Sequence, residues 1–436
     1  MPTSLHIGID LGTSGVRAIV IDDSGHPHGE ASVGLPAPQR DGARCEQDPA
    51  LWWQAVTDCL QRLLTQIPAS DVASIAVDGT SATLLLADAD GRPLGPALMY
   101  NDGRATAQAT RIAEVAPADT AAQGPASALA KLLWLQDAGL TRAARYALHQ
   151  ADWIAARLSG RLGVSDVNNA LKLGFDARRN EWPDWLDALR IPRSLLPGVV
   201  APGTPLAPLS ADIARRFGLP KDTLVVAGTT DSTAAFLATG ASRPGEAVTS
   251  LGSTLVLKVI AERPVFDARH GVYSQPLVVG GQRRWLVGGA SNSGGAVLRQ
   301  FFTDARMDEM TPHLRPTRRL CLHYYPLPTP GERFPVNDPQ LAPRMTPRPR
   351  DDTRFFQALL EGIGRIEKRG YDLLAGLGAP YPVSVRSTGG GARNPAWTTI
   401  RQSLLGVPLL AARHSEAAMG AALLARSARQ TDRGTP

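Results

Sequence analysis

Cysteine is scarce in this chain. Cys45, Cys59 and Cys321 are the three among 436 residues, and they show neither metal-ligand spacing nor a paired framework. That excludes a disulfide-stapled domain and a cysteine-built zinc site, and it predicts a reducing, cytoplasmic setting. Long apolar runs are missing as well. No stretch of about eighteen apolar residues occurs, so no membrane-spanning helix and no membrane partner are expected. The start, MPTSLHIGID, has no basic region followed by an apolar run, so no secretory leader is expected. His149, His313 and His323 have no cysteine or histidine partner at ligand spacing and are expected to be structural or surface residues.

What is present describes a folded α/β protein. Hydrophobic residues make up 43% and charged residues 20%, enough apolar surface for more than one core, and the length implies two domains. The net charge is +6, which by itself invites a nucleic-acid partner. The positive charge is mostly arginine and scattered. Only RPTRR (Arg315 to Arg319) and RMTPRPR (Arg344 to Arg350) are dense, both in a proline-rich stretch without aromatics. They are read as a solvated loop, with no nucleic-acid partner. The surplus charge still favours anionic substrates.

Strands are expected at HIGIDLG, VRAIVID, SIAVDGT and TLLLADAD, the last closed by the turn signal DADGRPLG. Trp52, Val56, Leu60 and Leu63 recur at helical spacing in PALWWQAVTDCLQRLLTQI. Two more helices are expected at SALAKLLWLQDAG and ADWIAARLSG, the second stopped by glycine. LRIPRSLLPGVVAPGTPLAPLS is expected to be an irregular surface connection. A second α/β pattern then opens with DTLVVAGTTD, STAAFLATGA and GEAVTSLGSTLVLKVI, followed by QRRWLVGGASNSGGAVLRQFF. After an irregular stretch from Thr311 to Asp352 come a long helix, a strand–glycine loop–helix unit and the small-residue helix EAAMGAALLARSA. The domains are placed at 1–226 and 227–436. Trp52, Trp53, Trp182 and Trp185 are expected to be packing residues.

IDLGTSGVRAIVID and VTSLGSTLVLKVI share one design, a strand, a glycine–hydroxyl turn and a second strand. One such turn alone is an ordinary hairpin; two suggest a duplication. Bare glycine backbone and successive N–H groups in such turns form an anion nest, to which serine and threonine hydroxyls add donors. Gly12, Thr13 and Ser14 therefore pair in role with Gly252, Ser253 and Thr254 as phosphate turns. Asp10, just before the first turn, needs a cation or donors if buried. Beside phosphates the natural partner is Mg2+ held through water, although capping of the turn is also open to it. Asp231 follows a buried strand and opens a helix. It reads as an N-cap or, for phosphoryl transfer, as the base for an attacking hydroxyl. STGGGARNPAW offers Gly389, Gly390 and Gly391 as bare backbone against a ring or a phosphate.

With these seven stretches in order (IGIDLGTSGVRA, EQDPALWW, MYNDGRA, AGTTDSTAA, TSLGSTLVL, STGGGARNPAW and EAAMGAALLA) the chain resembles the FGGY carbohydrate kinases over nearly its whole length. The resemblance implies two ribonuclease H-like (actin-like ATPase) domains with a ligand cleft between them, ATP and Mg2+ as cofactors, and a sugar as the other small-molecule partner. It implies that Asp231 is the catalytic base, that Gly12, Thr13 and Ser14 meet ATP phosphates, and that Asp10 lies near Mg2+ and the reacting hydroxyl. It also implies that Gly389 to Gly391 flank adenosine with Asn394 nearby, and that Thr13, Ser81, Asp102 and Arg104 contact substrate. For Asp102 and Arg104 a mutual salt bridge is the alternative. SNSGG, Ser291 to Gly295, lacks the nucleophile-elbow spacing and is expected to be a turn near the nucleotide.

The family's xylulose kinases usually carry a glutamine–methionine–histidine pattern where VDGTSATLL stands here, with Asp78, Thr80 and Ser81. Together with VSDVNNALKLGFD, that likeness points to the compact D-ribulose kinase branch and to a D-ribulose 5-phosphate product. D-xylulose, L-ribulose and ribitol are the alternative acceptors. An actin-like ATPase without sugar and a nonenzymatic sugar sensor are the rival classes. The oligomer is expected to be a monomer or homodimer.

Overall fold

A computed structural model describes residues 4–279 and 281–432. The chain forms two compact units. The first takes the residues up to Ala238 and those from Glu416 onward; the second is Thr239–Ser415. Residues 227–238, expected in the second domain, pack in the first unit, as does the closing helix Ala417–Asp432. The outer ends of the expected domains, residues 1–3 and 433–436, lie outside the described residues.

In the first unit a six-stranded sheet runs in the order Pro205–Pro208, Leu224–Val226, Val72–Gly79, Leu5–Leu11, Gly15–Asp22, Pro27–Gly34. The last three are antiparallel neighbours, and Val72–Gly79 and Leu224–Val226 continue parallel to Leu5–Leu11. The strand Leu5–Leu11 is buried on both faces, with Ile7, Ile9 and Leu11 all at 1% exposure or less. Helix Pro49–Leu64 inserts Trp52, Val56, Leu60 and Leu63 into that core, as their spacing predicts. Helix Ala417–Asp432 covers the strands through small residues. A Cβ on Gly8 would stand 2.0 Å from the Ala418 carbonyl oxygen, and one on Gly420 would stand closer still to that of Ala234. A separate sheet containing Leu84–Ala87 and Tyr146–His149 carries its own core with helix Ala128–Asp137.

The second unit repeats the plan. Its sheet is ordered Tyr273–Val279, Gln282–Ser291, Leu255–Ala261, Glu246–Leu251, Ser384–Thr388, Leu409–Ala411. Again an antiparallel set is followed by two parallel strands. The 25-residue helix Asp352–Gly376 packs its apolar face on it.

Two expectations need correction. The proline-rich stretch after Leu189 is not wholly irregular: Gly198–Val200 and Pro205–Pro208 are short strands, the latter at the sheet edge, where proline's missing N–H is tolerated. The stretch from Thr311 to Asp352 is irregular as expected, yet it is more than a solvated loop. Tyr324, Tyr325, Leu327 and Phe334 are buried in the second core, while Arg319 and Arg344 bond to carbonyls of Ser403 and His323.

Because the contacts at Gly420 are to helix backbone, Gly420→Ala is expected to cost about 1–3 kcal/mol by overpacking. A calorimetric Tm several degrees below that of the parent would show this; an unchanged Tm would refute it.

Candidate active site

Three parallel strands of the first unit deliver carboxylates to one end. Asp10 and Asp78 occupy paired positions on neighbouring strands, so their side chains share one face of the sheet. One residue on, Gly79 bridges to Thr230, which directly precedes Asp231. Asp231 opens helix Asp231–Ala238, and its Oδ1 accepts the Ser232 N–H at 2.6 Å. The carboxyl ends of parallel strands are a general location for ligands in α/β folds.

Asp78 is fully buried, and among the described residues no N–H or hydroxyl donates to either of its oxygens. Burial, and then the carboxylates of Asp10 and Asp231, hold it well above the usual carboxylate range. Asp10 is raised by burial too, with the carboxyl of Asp78 as the main opposing influence. A buried carboxyl without donors is suited to a proton or a cation. Sequence reasoning treated Asp78 only as a small polar residue. The signal for it was that IDLG, VDGT and GTTD each set an aspartate at a strand end beside glycine or threonine.

The turn after Asp10 is held by a 3.0 Å bond from Gly12 N–H to the Gly15 carbonyl. Thr13 is half-buried and Ser14 exposed. Gly15 has no room for a side chain, since its Cβ would lie 2.8 Å from the Val33 carbonyl oxygen. After Asp78, residues 79–83 form a loop fixed at both ends. The Thr80 and Thr83 hydroxyls are 2.6 Å apart, and Gln150 Oε1 accepts from Thr80 N–H and Oγ1. Lys131, fully buried, donates to the Ala82 carbonyl at 2.9 Å. Ala82 has φ of 67°, left-handed for a residue with a Cβ, and such strain persists only where surroundings impose it. Burial pushes Lys131 down to about 7, against the pull of Asp102. Ser81 Oγ is buried without a bonding partner among the described residues.

Asp102 and Arg104 do form the mutual salt bridge that the sequence left open. Arg104 Nε and Nη2 reach Asp102 at 2.9 and 2.5 Å, and Nη2 also reaches Glu46 at 2.7 Å. The remaining Asp102 capacity accepts Cys45 N–H. Arg104 stacks over Trp134, and its Nη1 has no partner among the described residues. His149 is buried against Asp152, while His313 and His323 are exposed.

The second unit brings the glycine motifs together. A pocket of about 680 Å³ is lined by Gly252, Ser253, Gly390, Gly391, Asn394 and Trp397 among others. Gly389 has φ of 80°, and a Cβ on Gly391 would meet the Trp397 ring at 2.4 Å. Bare backbone is therefore required here. The Ser291–Gly295 turn packs beside it, with Gly295 N–H on the Gly252 carbonyl at 2.8 Å. Asn394 spends its side chain locally, capping Trp397 N–H and donating to Thr311. Behind the pocket lies a buried network that sequence reasoning missed. Arg401 pairs with Glu367 through two 2.6 Å bonds and donates to Ser387, and Thr249 donates to Glu367 at 2.6 Å. Thr249 and Ser387 are at the roots of the two glycine loops.

The family model for the N-terminal domain of the FGGY family of carbohydrate kinases matches residues 5–238, and that for its C-terminal domain matches residues 247–429. The chain belongs to the FGGY carbohydrate kinases. Among FGGY relatives, the xylulose kinase of Escherichia coli K12 is 27% identical over 93% of this chain and 86% of its own length. The gluconokinase of Bacillus subtilis 168 is 25% identical over 91% and 82%. A Brucella ovis structure described as a "xyloylose kinase" superposes with a TM-score of 0.89 at 26% identity, covering 98% of this chain and 91% of its own. The xylulose kinase structure from Rhodospirillum rubrum, at 24% identity and a TM-score of 0.84, supports the same fold. The chain is thus an ATP-dependent sugar kinase using MgATP, with two ribonuclease H-like domains. The donor-free Asp78 oxygens beside Asp10 fit a divalent cation, and the glycine-bared pocket fits a nucleotide. No helix among the described residues is long and apolar enough to cross a membrane.

Since folding raises the Asp78 value above its unfolded one, its stability contribution is greatest below about pH 4 and falls as pH rises toward the folded value. Without added metal, Asp78→Asn should therefore lose less Tm than the parent between about pH 5 and pH 8. Parallel pH profiles of Tm for the two proteins would contradict the assigned burial effect.

Proposed function

We propose that this FGGY kinase phosphorylates a pentulose at its terminal primary hydroxyl, converting D-ribulose to D-ribulose 5-phosphate, with Asp231 as general base. The observation that carries the mechanism is the gathering of Asp10, Asp78 and Asp231 at one end of three parallel strands. Asp231 has the position for the base. It stands at the start of a helix, where the backbone dipoles favour the ionised carboxylate. It takes the hydroxyl proton as the sugar oxygen bonds to the γ-phosphorus, the bond to the bridging oxygen breaks, and ADP leaves. Asp10, through water, and Asp78 would hold Mg2+, which when bound offsets phosphate charge. The turns Gly12–Ser14 and Gly252–Thr254 are assigned to phosphates. Gly389 to Gly391, with Asn394, are assigned to adenosine.

Arg104 Nη1 and Ser81 Oγ, both buried and unpartnered, are assigned to sugar hydroxyls, with Thr13 near the reacting end. Asp102 orients Arg104. The small polar VDGTSATLL loop supports D-ribulose. D-xylulose is the second reading, favoured by the names of the relatives. Three free thiols, Cys45 and Cys59 buried and Cys321 exposed, agree with a cytoplasmic location.

A coupled ADP-release assay across D-ribulose, L-ribulose, D-xylulose, L-xylulose, ribitol and glycerol tests the acceptor. Highest kcat/KM is expected for D-ribulose, and preference for another acceptor overturns that choice alone. Asp231→Ala should lose turnover by roughly 10²–10⁴-fold while keeping nucleotide affinity. Near-parental turnover would remove Asp231 from the base role.

A further inference from the structure

Gln150 begins helix Gln150–Ser159 and is completely buried. One end of its amide accepts Thr80 N–H at 3.0 Å and the Thr80 hydroxyl at 2.8 Å. A backbone N–H can only donate, so the atom facing it must be the oxygen. The orientation of the amide is therefore fixed by chemistry. Its other end, the Nε2 amine with two N–H donors, is buried and has no acceptor among the described residues. An orphaned buried donor is costly and calls for a partner.

The surroundings indicate what kind of partner. Gly79 makes room for the amide, since a Cβ there would lie 3.2 Å from Gln150 Oε1 and 3.2 Å from Ala151 N. On one side of Gly79 is Asp78, two acceptor oxygens without a donor; two residues beyond is Ser81, a hydroxyl without a partner. Donors, acceptors and a hydroxyl thus stand unmatched around one short loop, and they do not reach one another. The loop cannot shift to pair them, because Gln150 holds it at Thr80 and Lys131 holds it at Ala82. A polyhydroxylated ligand, each of whose groups both donates and accepts, complements that set.

We propose that Gln150 is a specificity-determining residue of the sugar site, its Nε2 donating to an oxygen of the ketose while its Oε1 sets the loop that carries Ser81. This rests on the assignment of the sugar to the first unit's carboxylate end. It adds a direct substrate contact from an element that none of the sequence motifs includes.

Two variants of the full chain test it by steady-state kinetics with the best acceptor from the panel. Gln150→Glu keeps an oxygen for Thr80 but replaces the donor by an acceptor. Gln150→Leu removes both. For Gln150→Glu the sugar KM is expected to rise at least about tenfold, with the ATP KM within about twofold. Among monodeoxy ketoses, the one lacking the contacted hydroxyl should be a poorer substrate for the parent yet show no further loss in the variant. If the parent shows no sugar-dependent ADP release, the kinase reading and this inference fall together. If the parent is active and Gln150→Glu keeps its sugar KM within about twofold, only the contact is refuted. Should Gln150→Leu fail to fold, Gln150→Glu alone decides.

Discussion

The register between Leu5–Leu11 and Val72–Gly79 places two carboxyls side by side inside the protein. Left alone, that arrangement is unfavourable: burial disfavours both charges, and the Asp10 carboxylate further opposes ionisation of Asp78. The sheet tolerates it because the strands are fixed by everything else they touch. Ile7, Ile9 and Leu11 are buried in one core; Gly8 lets helix Ala417–Asp432 lie directly on the strand, and Gly420 lets that helix lie against helix Asp231–Ala238. A one-residue slip would turn Asp10 to the opposite face and bring Ile9 or Leu11 to its place. Apolar packing thus holds in position a polar cluster that could not hold itself.

The second unit uses the same sheet plan with the opposite electrostatic solution. One buried ion pair there is fully matched: Glu367 meets Arg401 twice, and Thr249 and Ser387 complete the set. Breaking such a pair by removing one partner strands a buried charge, so the network is rigid and the two loops rooted on it are rigid with it. Those loops, Gly252–Thr254 and Gly389–Gly391, need rigidity because their contribution is backbone geometry. The carboxylate end of the first unit leaves its polar groups unmatched. The glycine-lined pocket of the second leaves its backbone uncovered.

These differences explain what could be read from the sequence. The hairpin turns, the strand before Asp231 and the triple glycine were legible because each is a local event, a strand followed by residues that cannot continue it. Of the residues those motifs carry, Asp10 and Asp231 flank Asp78 in the first unit, and the two glycine loops line one pocket in the second. Asp78 was passed over because its meaning lies in a register with a strand far away in the chain, not in its neighbours. Glu367 and Arg401 sit on separate helices and look like ordinary surface charges until both are found with no exposure. The strand Pro205–Pro208 was hidden by its prolines, which an edge position tolerates. The buried tyrosines near residue 325 were masked by the arginines around them.

Gln150 shows the same limit at atomic scale. Nothing in LHQADW says which end of the amide is committed. That follows only from the Thr80 N–H, whose chemistry admits an oxygen and nothing else. Once the oxygen is placed, the amine has no freedom left, and its lack of a partner becomes a property of the site and not of one rotamer. The cost of that orphan, like the cost of the paired carboxyls, is carried by the folded protein until a ligand removes it. Among the described residues, unmet hydrogen bonds and unfavourable charge thus meet at Asp78, Ser81 and Gln150, beside the carboxyl ends of the parallel strands. Under the proposed function, a sugar bearing several hydroxyls would satisfy the first, and a cation with phosphate oxygens would relieve the second. On the proposed reading, the local instability of the free site is what binding of the two substrates relieves.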